Sequence, residues 1–108
     1  MIEDSLTPPY YAVVFSSTLS DDLEGYKKMT EEMENLAKEQ DGYLGVEYAR
    51  EEIGITVSYW ESLEAITKWK NNVAHTKARN LGREKWYKKY RLRICNVERE
   101  YGFEKESN

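Results

Sequence analysis

The sequence has one cysteine, Cys95, one histidine, His75, and two prolines among its 108 residues. A single cysteine excludes an intramolecular disulfide, and one cysteine with one histidine cannot supply the four ligands of a structural zinc site. Cys95 lies in an alternating apolar run, which predicts a small buried side chain. The sequence contains no glycine-rich phosphate loop and no serine or cysteine nucleophile motif, so nothing in it points to those enzyme classes or to a metal site.

The sequence also lacks a net positive charge and long apolar runs. The chain has 20 acidic and 16 basic residues and a formal charge of −4, which argues against a nucleic-acid or anionic-membrane partner. Residues 85–91 interleave basic and aromatic side chains between glutamates, which indicates a solvated helix end. No stretch approaches the roughly 18 apolar residues of a membrane span, and residues 1–9 lack the apolar centre of a signal peptide. We therefore expect a cytoplasmic protein.

Aromatic residues, in contrast, are abundant. Nine tyrosines, three tryptophans and two phenylalanines make up 13% of the chain, and such rings are favoured at interfaces and pockets where apolar surface is partly wet. The length suits one domain with a modest core. We expect a domain over residues 10–103, an N-terminal arm formed by residues 1–9 and a polar tail formed by residues 104–108.

The first half of the domain predicts a strand, a helix and a hairpin. Residues 10–17 are apolar on both faces, which indicates a strand that is covered on both sides. Asp21 is placed to cap a helix with one apolar stripe, and Gly42 is placed to end that helix in the left-handed conformation. Residues 43–49 and 55–60 then form two strands joined by a short turn that contains glycine.

The second half predicts two helical stretches and a last strand. Ser62 is placed to cap a helix that reaches Trp69. Residues 71–75 loosen the helical pattern, and a further helical stretch runs on to Tyr87. Residues 91–99 alternate as the last strand.

The order strand, helix, strand, strand, helix, strand predicts the ferredoxin-like α+β fold, βαββαβ, with a four-stranded antiparallel sheet. Both helices are then expected on one face of the sheet. The other face still carries large apolar side chains and has no cover within the chain. An exposed apolar patch of that extent usually marks an association site, so we predict that a second copy closes a dimeric α+β barrel by two-fold symmetry.

Several segments resemble the antibiotic biosynthesis monooxygenase family. Residues 55–66, ITVSYWESLEAI, followed by Trp69 and Lys70, are similar to that family's signature of a strand, a Trp-x-Ser or Trp-x-Asp step, a helix and a tryptophan. His75 with the block at residues 82–87, and the segment QDGYLG before the second strand, are similar to further parts of the family pattern. The resemblance runs from about Tyr10 to Phe103.

The resemblance implies a function as well as a fold. Characterised members of the family include oxygenases that oxidise polycyclic phenols to quinones without metal or flavin. The resemblance therefore implies a homodimer, a small aromatic substrate, no cofactor and a pocket between the helices and the sheet that is sized for a flat molecule. Such a reaction needs little machinery, because an electron-rich phenolate can itself donate an electron to dioxygen.

Five residues are candidates for the site. His75 is the expected catalytic residue, because only histidine has an unperturbed pKa near neutrality. Trp69 is expected to line the pocket beside the substrate, with Phe15 on the first strand. Tyr59 and Trp60 end the third strand, so one should face the helices and the other the partner copy. For all five, ordinary packing in the core or at a surface is the alternative interpretation.

Two other functions remain open from sequence. Relatives in the same superfamily bind and degrade haem, but their ligand histidine lies farther from the helix tryptophan than His75 lies from Trp69, and they use an asparagine on the first strand that this chain lacks. Both departures disfavour haem. The third possibility is a binding or stress module that uses the barrel without chemistry, since fold and function are separable.

Overall fold

The structure, a computed structural model, describes residues 2–106; Met1 of the predicted arm and residues 107–108 of the predicted tail lie outside this range. Its elements are β1 (Tyr10–Leu19), α1 (Tyr26–Lys38), β2 (Tyr43–Arg50), β3 (Gly54–Trp60), α2 (Leu63–Asn71), α3 (Val73–Leu81), a π-helical turn (Gly82–Trp86) and β4 (Tyr87–Val97). The strands form one antiparallel sheet in the order β2-β3-β1-β4. The predicted ferredoxin-like α+β fold is confirmed.

Side-chain caps define the helices that follow β3. The Ser62 hydroxyl accepts a hydrogen bond from the Ala65 backbone N–H at 3.0 Å, so the predicted start of α2 is confirmed. The predicted loosening at residues 71–75 is a true break. There the Asn72 side chain accepts from the His75 N–H at 3.1 Å and starts α3 as a separate helix.

Helix α1 begins after Gly25, so the prediction that Asp21 caps it is wrong. The Ser20 hydroxyl donates to the Lys85 carbonyl oxygen at 2.5 Å, and the Ser20 N–H donates to the Trp86 carbonyl oxygen at 2.7 Å. These bonds hold Ser20 at the π-helical turn, and the helix begins only after Gly25, which is left-handed with φ 81°. The competing partner lies 65 residues away in sequence, which local pattern does not reveal.

Strand β4 begins at Tyr87, four residues earlier than predicted. Tyr87 pairs with Leu19 across the ladder to β1, so residues 87–91 are strand rather than the solvated helix end that their charge pattern suggested. Cys95 is exposed and not buried as predicted. It lies on an edge strand, on the side of the sheet that has no helices.

Alternate strand residues point to the helices or away from them, and we name these sides the helix face and the outer face. Trp60, 1% exposed, packs with Ala65 and Ile66 of α2 and is the centre of the core on the helix face. Cross-strand partners share a face, so Tyr11, opposite Trp60, also faces the helices. Tyr59 therefore lies on the outer face.

The described part of the N-terminal arm lies across one end of the outer face. The Glu3 backbone N–H donates to the Glu47 carboxylate at 2.8 Å, and the Glu3 side chain lies against Gly45. Tyr10, on the same face, is 6% exposed. The expectation that nothing in the chain covers this face is therefore wrong at this end. Farther along, Ile55 is 45% exposed and the face is open.

Gly42 is left-handed as predicted, with φ 83°, but α1 has already ended at Lys38, so Gly42 shapes the turn into β2. A Cβ at this position would lie 2.6 Å from the Ala65 Cβ.

We expect Gly42→Ala to lower the free energy of unfolding by about 2–4 kcal/mol, since the costs of backbone strain and of overpacking add. Urea denaturation measures this. Gly102→Ala, where a Cβ meets nothing within 4 Å, is the matched control, and equal effects of the two changes would contradict the prediction.

Candidate functional site

Three of the five candidate residues form a continuous ring stack on the helix face. The Trp60 and Trp69 ring centroids are 6.2 Å apart with an interplanar angle of 25°. The Trp69 and His75 rings are closer, at 4.2 Å and 10°. The stack runs from the buried Trp60 to His75, which is partly exposed. It therefore places the imidazole at the surface end of an aromatic column.

The break between α2 and α3 creates this geometry. Trp69 lies in the last turn of α2 and His75 in the first turn of α3, and the extended backbone of Asn72 separates the two helices. The His75 Nδ1 atom is 2.9 Å from the Trp69 carbonyl oxygen. A carbonyl oxygen only accepts hydrogen bonds, so Nδ1 carries the proton in this contact. The neutral ring consequently presents Nε2 as a proton acceptor.

Electrostatics favour the neutral form of this histidine. Burial lowers the pKa of His75 below its usual value, and the positive charge of Arg79 lowers it further, although the bond to the Trp69 carbonyl acts in the opposite direction. Since the unperturbed pKa is about 6.5, the ring is neutral at pH 7. A neutral imidazole with one free nitrogen is the form that can take a proton from a substrate.

Arg79 is a site residue that sequence reasoning missed. It lies four residues after His75, on the same face of α3, and its Nη2 donates to the Lys70 carbonyl oxygen at 3.1 Å. Its Nε atom is buried and has no acceptor among residues 2–106. A buried N–H without a partner is costly, and the nearby guanidinium adds positive charge beside His75. The i, i+4 spacing to His75 was the available signal.

Tyr59 lies on the other side of the sheet from the stack. Its hydroxyl donates to the Glu47 carboxylate at 2.5 Å, and its ring packs edge-on against Tyr10 with centroids 5.8 Å apart. Burial and the hydrogen bond to Glu47 raise the pKa of Tyr59, and the same bond lowers the pKa of Glu47. Of the two residues that end β3, Trp60 thus faces the helices and Tyr59 the outer face.

Phe15 belongs to a second aromatic group at the far end of the helix face. Its ring centroid is 5.3 Å from that of Tyr87 and 5.2 Å from that of Tyr90. Tyr26 of α1 packs edge-on against Tyr87 at 6.1 Å. Phe15 is four residues along β1 from Tyr11, a separation of about 13 Å, so it does not meet the ring stack.

Two open clefts accompany these groups. One of about 330 Å³ lies between α1 and the π-helical turn, with Trp86 in its lining, and one of about 460 Å³ lies between the N-terminal arm and the start of β2. Neither is lined by His75 or by another of the five candidate residues.

Within residues 2–106, no group of three or more histidine, cysteine or acidic side chains is arranged to hold a metal ion, and no helix is long and apolar enough to cross a membrane.

Comparisons with known proteins point to one family. The family model described as antibiotic biosynthesis monooxygenase matches residues 9–81. The "Uncharacterized protein YqjZ" of Bacillus subtilis is 46% identical over 103 residues, which are 94% of this chain and 90% of that protein. SnoaB, described as a cofactor-independent oxygenase from Streptomyces nogalater, superposes with a TM-score of 0.73 at 9% identity, over 86% of this chain and 97% of that chain. Rv0793 from Mycobacterium tuberculosis gives 0.75 at 11%, over 86% and 99%. At these identities the two structures establish the fold alone.

Proposed function

Because the chain belongs to the antibiotic biosynthesis monooxygenase family, we propose that it is a cofactor-independent oxygenase of flat aromatic phenols, with His75 as the proton acceptor. The observation that carries this proposal is the ring stack, in which a neutral imidazole bonded at Nδ1 lies 4.2 Å from Trp69. The SnoaB comparison supports the absence of a cofactor, since that neighbour is described as cofactor-independent.

The reaction we propose uses the electrons of the substrate. In an anthrone, a CH₂ group lies between two aromatic rings, and His75 Nε2 takes one proton from it or from the hydroxyl of its enol. The resulting anion transfers one electron to dioxygen, and the two radicals combine to form a carbon–oxygen bond. The peroxide takes the proton back, and loss of water leaves a carbonyl. One oxygen atom ends in the quinone and the other in water.

The neighbours of His75 have distinct roles in this scheme. Trp69 holds the imidazole parallel to its own ring, and the Trp69 carbonyl fixes the tautomer that leaves Nε2 free. Trp60 is too deeply buried to touch a substrate and supports Trp69 from behind. Arg79, whose positive charge already lowers the pKa of His75, would stabilise electrostatically the negative oxygen that forms as the substrate loses its proton.

The test uses the protein as purified, treated with a chelator, and dithranol, a three-ring anthrone with phenolic groups. An oxygen electrode measures dioxygen uptake, and absorbance measures the quinone. We expect one dioxygen consumed per quinone formed, at a rate proportional to protein concentration. A rate equal to that of buffer with heat-denatured protein would instead favour a binding module without chemistry. Hemin added to the same protein, with no shift of its Soret band, would remove the haem alternative.

We also propose that two copies pack through the open part of the outer face. Val14, Val57 and Ile55 share this face by register, and Ile55 is 45% exposed. A chain of 108 residues buries a modest core and gains from covering such a surface. Sedimentation velocity at micromolar concentration is expected to show a species of twice the 12.8 kDa chain mass.

Paired variants test this packing. Ile55→Lys should give the single-chain mass, because it places a charge within the proposed interface. Ile53→Lys, in the turn before β3 and 57% exposed, is the matched control and should leave the dimer intact. A folded wild-type single chain at micromolar concentration would contradict the dimer.

A further inference from the structure

Arg50, at the end of β2, reaches across β3 on the helix face to β1. Its Nη1 donates to the Ser17 carbonyl oxygen at 3.3 Å, and its Nη2 donates to the Ser17 hydroxyl at 2.5 Å. Between these strands lies Gly54 of β3, which pairs with both residues. The guanidinium therefore rests on the glycine, and a Cβ at Gly54 would collide with it. A residue with no side chain is what lets the arginine lie flat on the sheet.

This cation has no carboxylate partner. Among residues 2–106, no acidic side chain lies within 4.0 Å of the Arg50 guanidinium, although Glu51 and Glu52 follow it directly and are exposed. A guanidinium has five N–H donors, and the two bonds to Ser17 leave three without an acceptor in the described residues. A partly buried guanidinium that has free N–H donors and no carboxylate beside it is a suitable partner for an anionic ligand.

Aromatic rings and a second arginine lie next to this cation. Ser17 pairs with Tyr90 across β1 and β4, and Phe15 packs on both Tyr90 and Tyr87. The Arg83 Nε donates to the Tyr90 hydroxyl at 2.8 Å. The end of the helix face therefore combines ring surfaces with two guanidiniums. That combination matches a molecule with a flat apolar body and a negative head.

We propose that this end of the helix face is a binding site for an aromatic carboxylate, with Arg50 holding the carboxylate and the ring lying on Phe15 and Tyr87. The site is separate from the ring stack, because Ser17 lies six residues along β1 from Tyr11, or about 20 Å. A molecule of three fused rings does not span that distance. The proposal therefore does not depend on the oxygenase chemistry at His75.

The probes are anthracene-9-carboxylate and its neutral counterpart 9-anthracenemethanol, which share one ring system. Fluorescence titration of the wild-type chain should give at least about 10-fold tighter binding of the carboxylate, since hydrogen bonds to a charged group are stronger than those to a neutral one. Arg50→Gln should remove that preference and leave the affinity for the neutral probe unchanged. Gly54→Ala should act in the same way, because it displaces the guanidinium without removing it.

Matched variants separate charge, geometry and location. Arg50→Lys keeps the charge but loses the planar fork, so its carboxylate affinity should fall between those of wild type and Arg50→Gln. Arg99→Gln removes an exposed arginine elsewhere and should change nothing. His75→Gln should also leave both affinities unchanged, even if oxidation of dithranol is lost, so the failure of one proposal does not imply the failure of the other.

Three results would overturn the site: equal wild-type affinity for the two probes, an unchanged preference in folded Arg50→Gln, or loss of carboxylate binding in His75→Gln. Arg50 also connects three strands, so the folding of every variant is checked by circular dichroism.

If Arg50→Gln does not fold, NMR of the wild-type chain tests the proposal instead. The Arg50 Nε–H resonance should then shift on addition of the carboxylate probe and not on addition of the alcohol, and its failure to shift would refute the proposal.

Discussion

His75→Gln is expected to lower kcat for dithranol oxidation by about 10²–10⁴-fold, the usual contribution of a positioned acid or base, while the chain remains folded. Glutamine is polar and of similar reach, but it cannot accept a proton at neutral pH. The side chain lies at the partly exposed end of the ring stack and outside the core around Trp60, so its replacement should leave the domain folded. Oxygen-electrode traces on wild type and variant measure the effect, and thermal melts establish that the variant is folded.

The same helix provides the control for this variant. Lys77 lies two residues after His75 and is exposed, so Lys77→Ala should oxidise dithranol at the wild-type rate. A purely structural role for His75 would lower the melting temperature and affect KM and kcat alike. A proton-accepting role for His75 requires a loss in kcat with a near-normal melting temperature. If His75→Gln oxidised dithranol within about threefold of wild type, the imidazole would not be the proton acceptor.

Trp60→Ala is expected to lower the free energy of unfolding by about 3–5 kcal/mol, the usual cost of truncating a buried large aromatic residue. Trp60 is 1% exposed, its ring packs against Tyr43 at 5.6 Å and Trp69 at 6.2 Å, and its Nε1 donates to the Ser58 hydroxyl at 2.9 Å. Domains are typically stable by only about 5–15 kcal/mol. The substitution therefore removes a large part of the total and also removes the support behind Trp69.

Urea denaturation followed by circular dichroism measures this loss. Trp60→Phe keeps a ring in the core and should cost less than the alanine change. Phe103→Ala removes a ring that is 91% exposed and should leave the midpoint unchanged. If Trp60→Ala and Phe103→Ala had similar midpoints, the core on the helix face would not be the stabilising centre of the domain.

Much of the fold follows from local pattern. The clean alternation of residues 55–60 predicts β3, and the serine placed before an apolar helical stripe predicts the cap of α2 at Ser62. Both signals act over a few residues, and the hydrophobic effect and capping bonds that cause them are local. The chain order of these elements then restricts the topology to few choices.

Other features depend on partners that are distant in sequence. The segment before α1 is held by a bond from Ser20 to Lys85, 65 residues away, and the N-terminal arm is held by Glu47. Alternation shows that Tyr59 and Trp60 point to opposite faces of the sheet. Which of the two faces the helices depends on the register of β3, which the alternating pattern alone does not determine. Arg50 likewise gains its partner, Ser17, only when three strands meet. No window of neighbouring residues contains these contacts.

The candidate site was only partly predictable, because some of its features are local in sequence and others depend on distant contacts. Residue type singles out His75, and the loosened pattern at residues 71–75 already marked the break that places it on Trp69. Phe15 is separated from them because it lies farther along β1, among the tyrosines of β4. The Arg79 Nε is buried without a hydrogen-bond acceptor. This burial arises from the folded packing and is not contained in the local sequence pattern.

The protonation state of His75 is the point on which the proposed chemistry depends, and NMR measures it directly. The chain has one histidine, so a long-range ¹H–¹⁵N spectrum contains a single imidazole pattern without need of assignment. At pH 7 we predict a neutral ring with the proton on Nδ1 and a free lone pair on Nε2, and a titration midpoint below the ordinary histidine pKa of about 6.5. A proton on Nε2, or a midpoint at or above that value, would contradict the account.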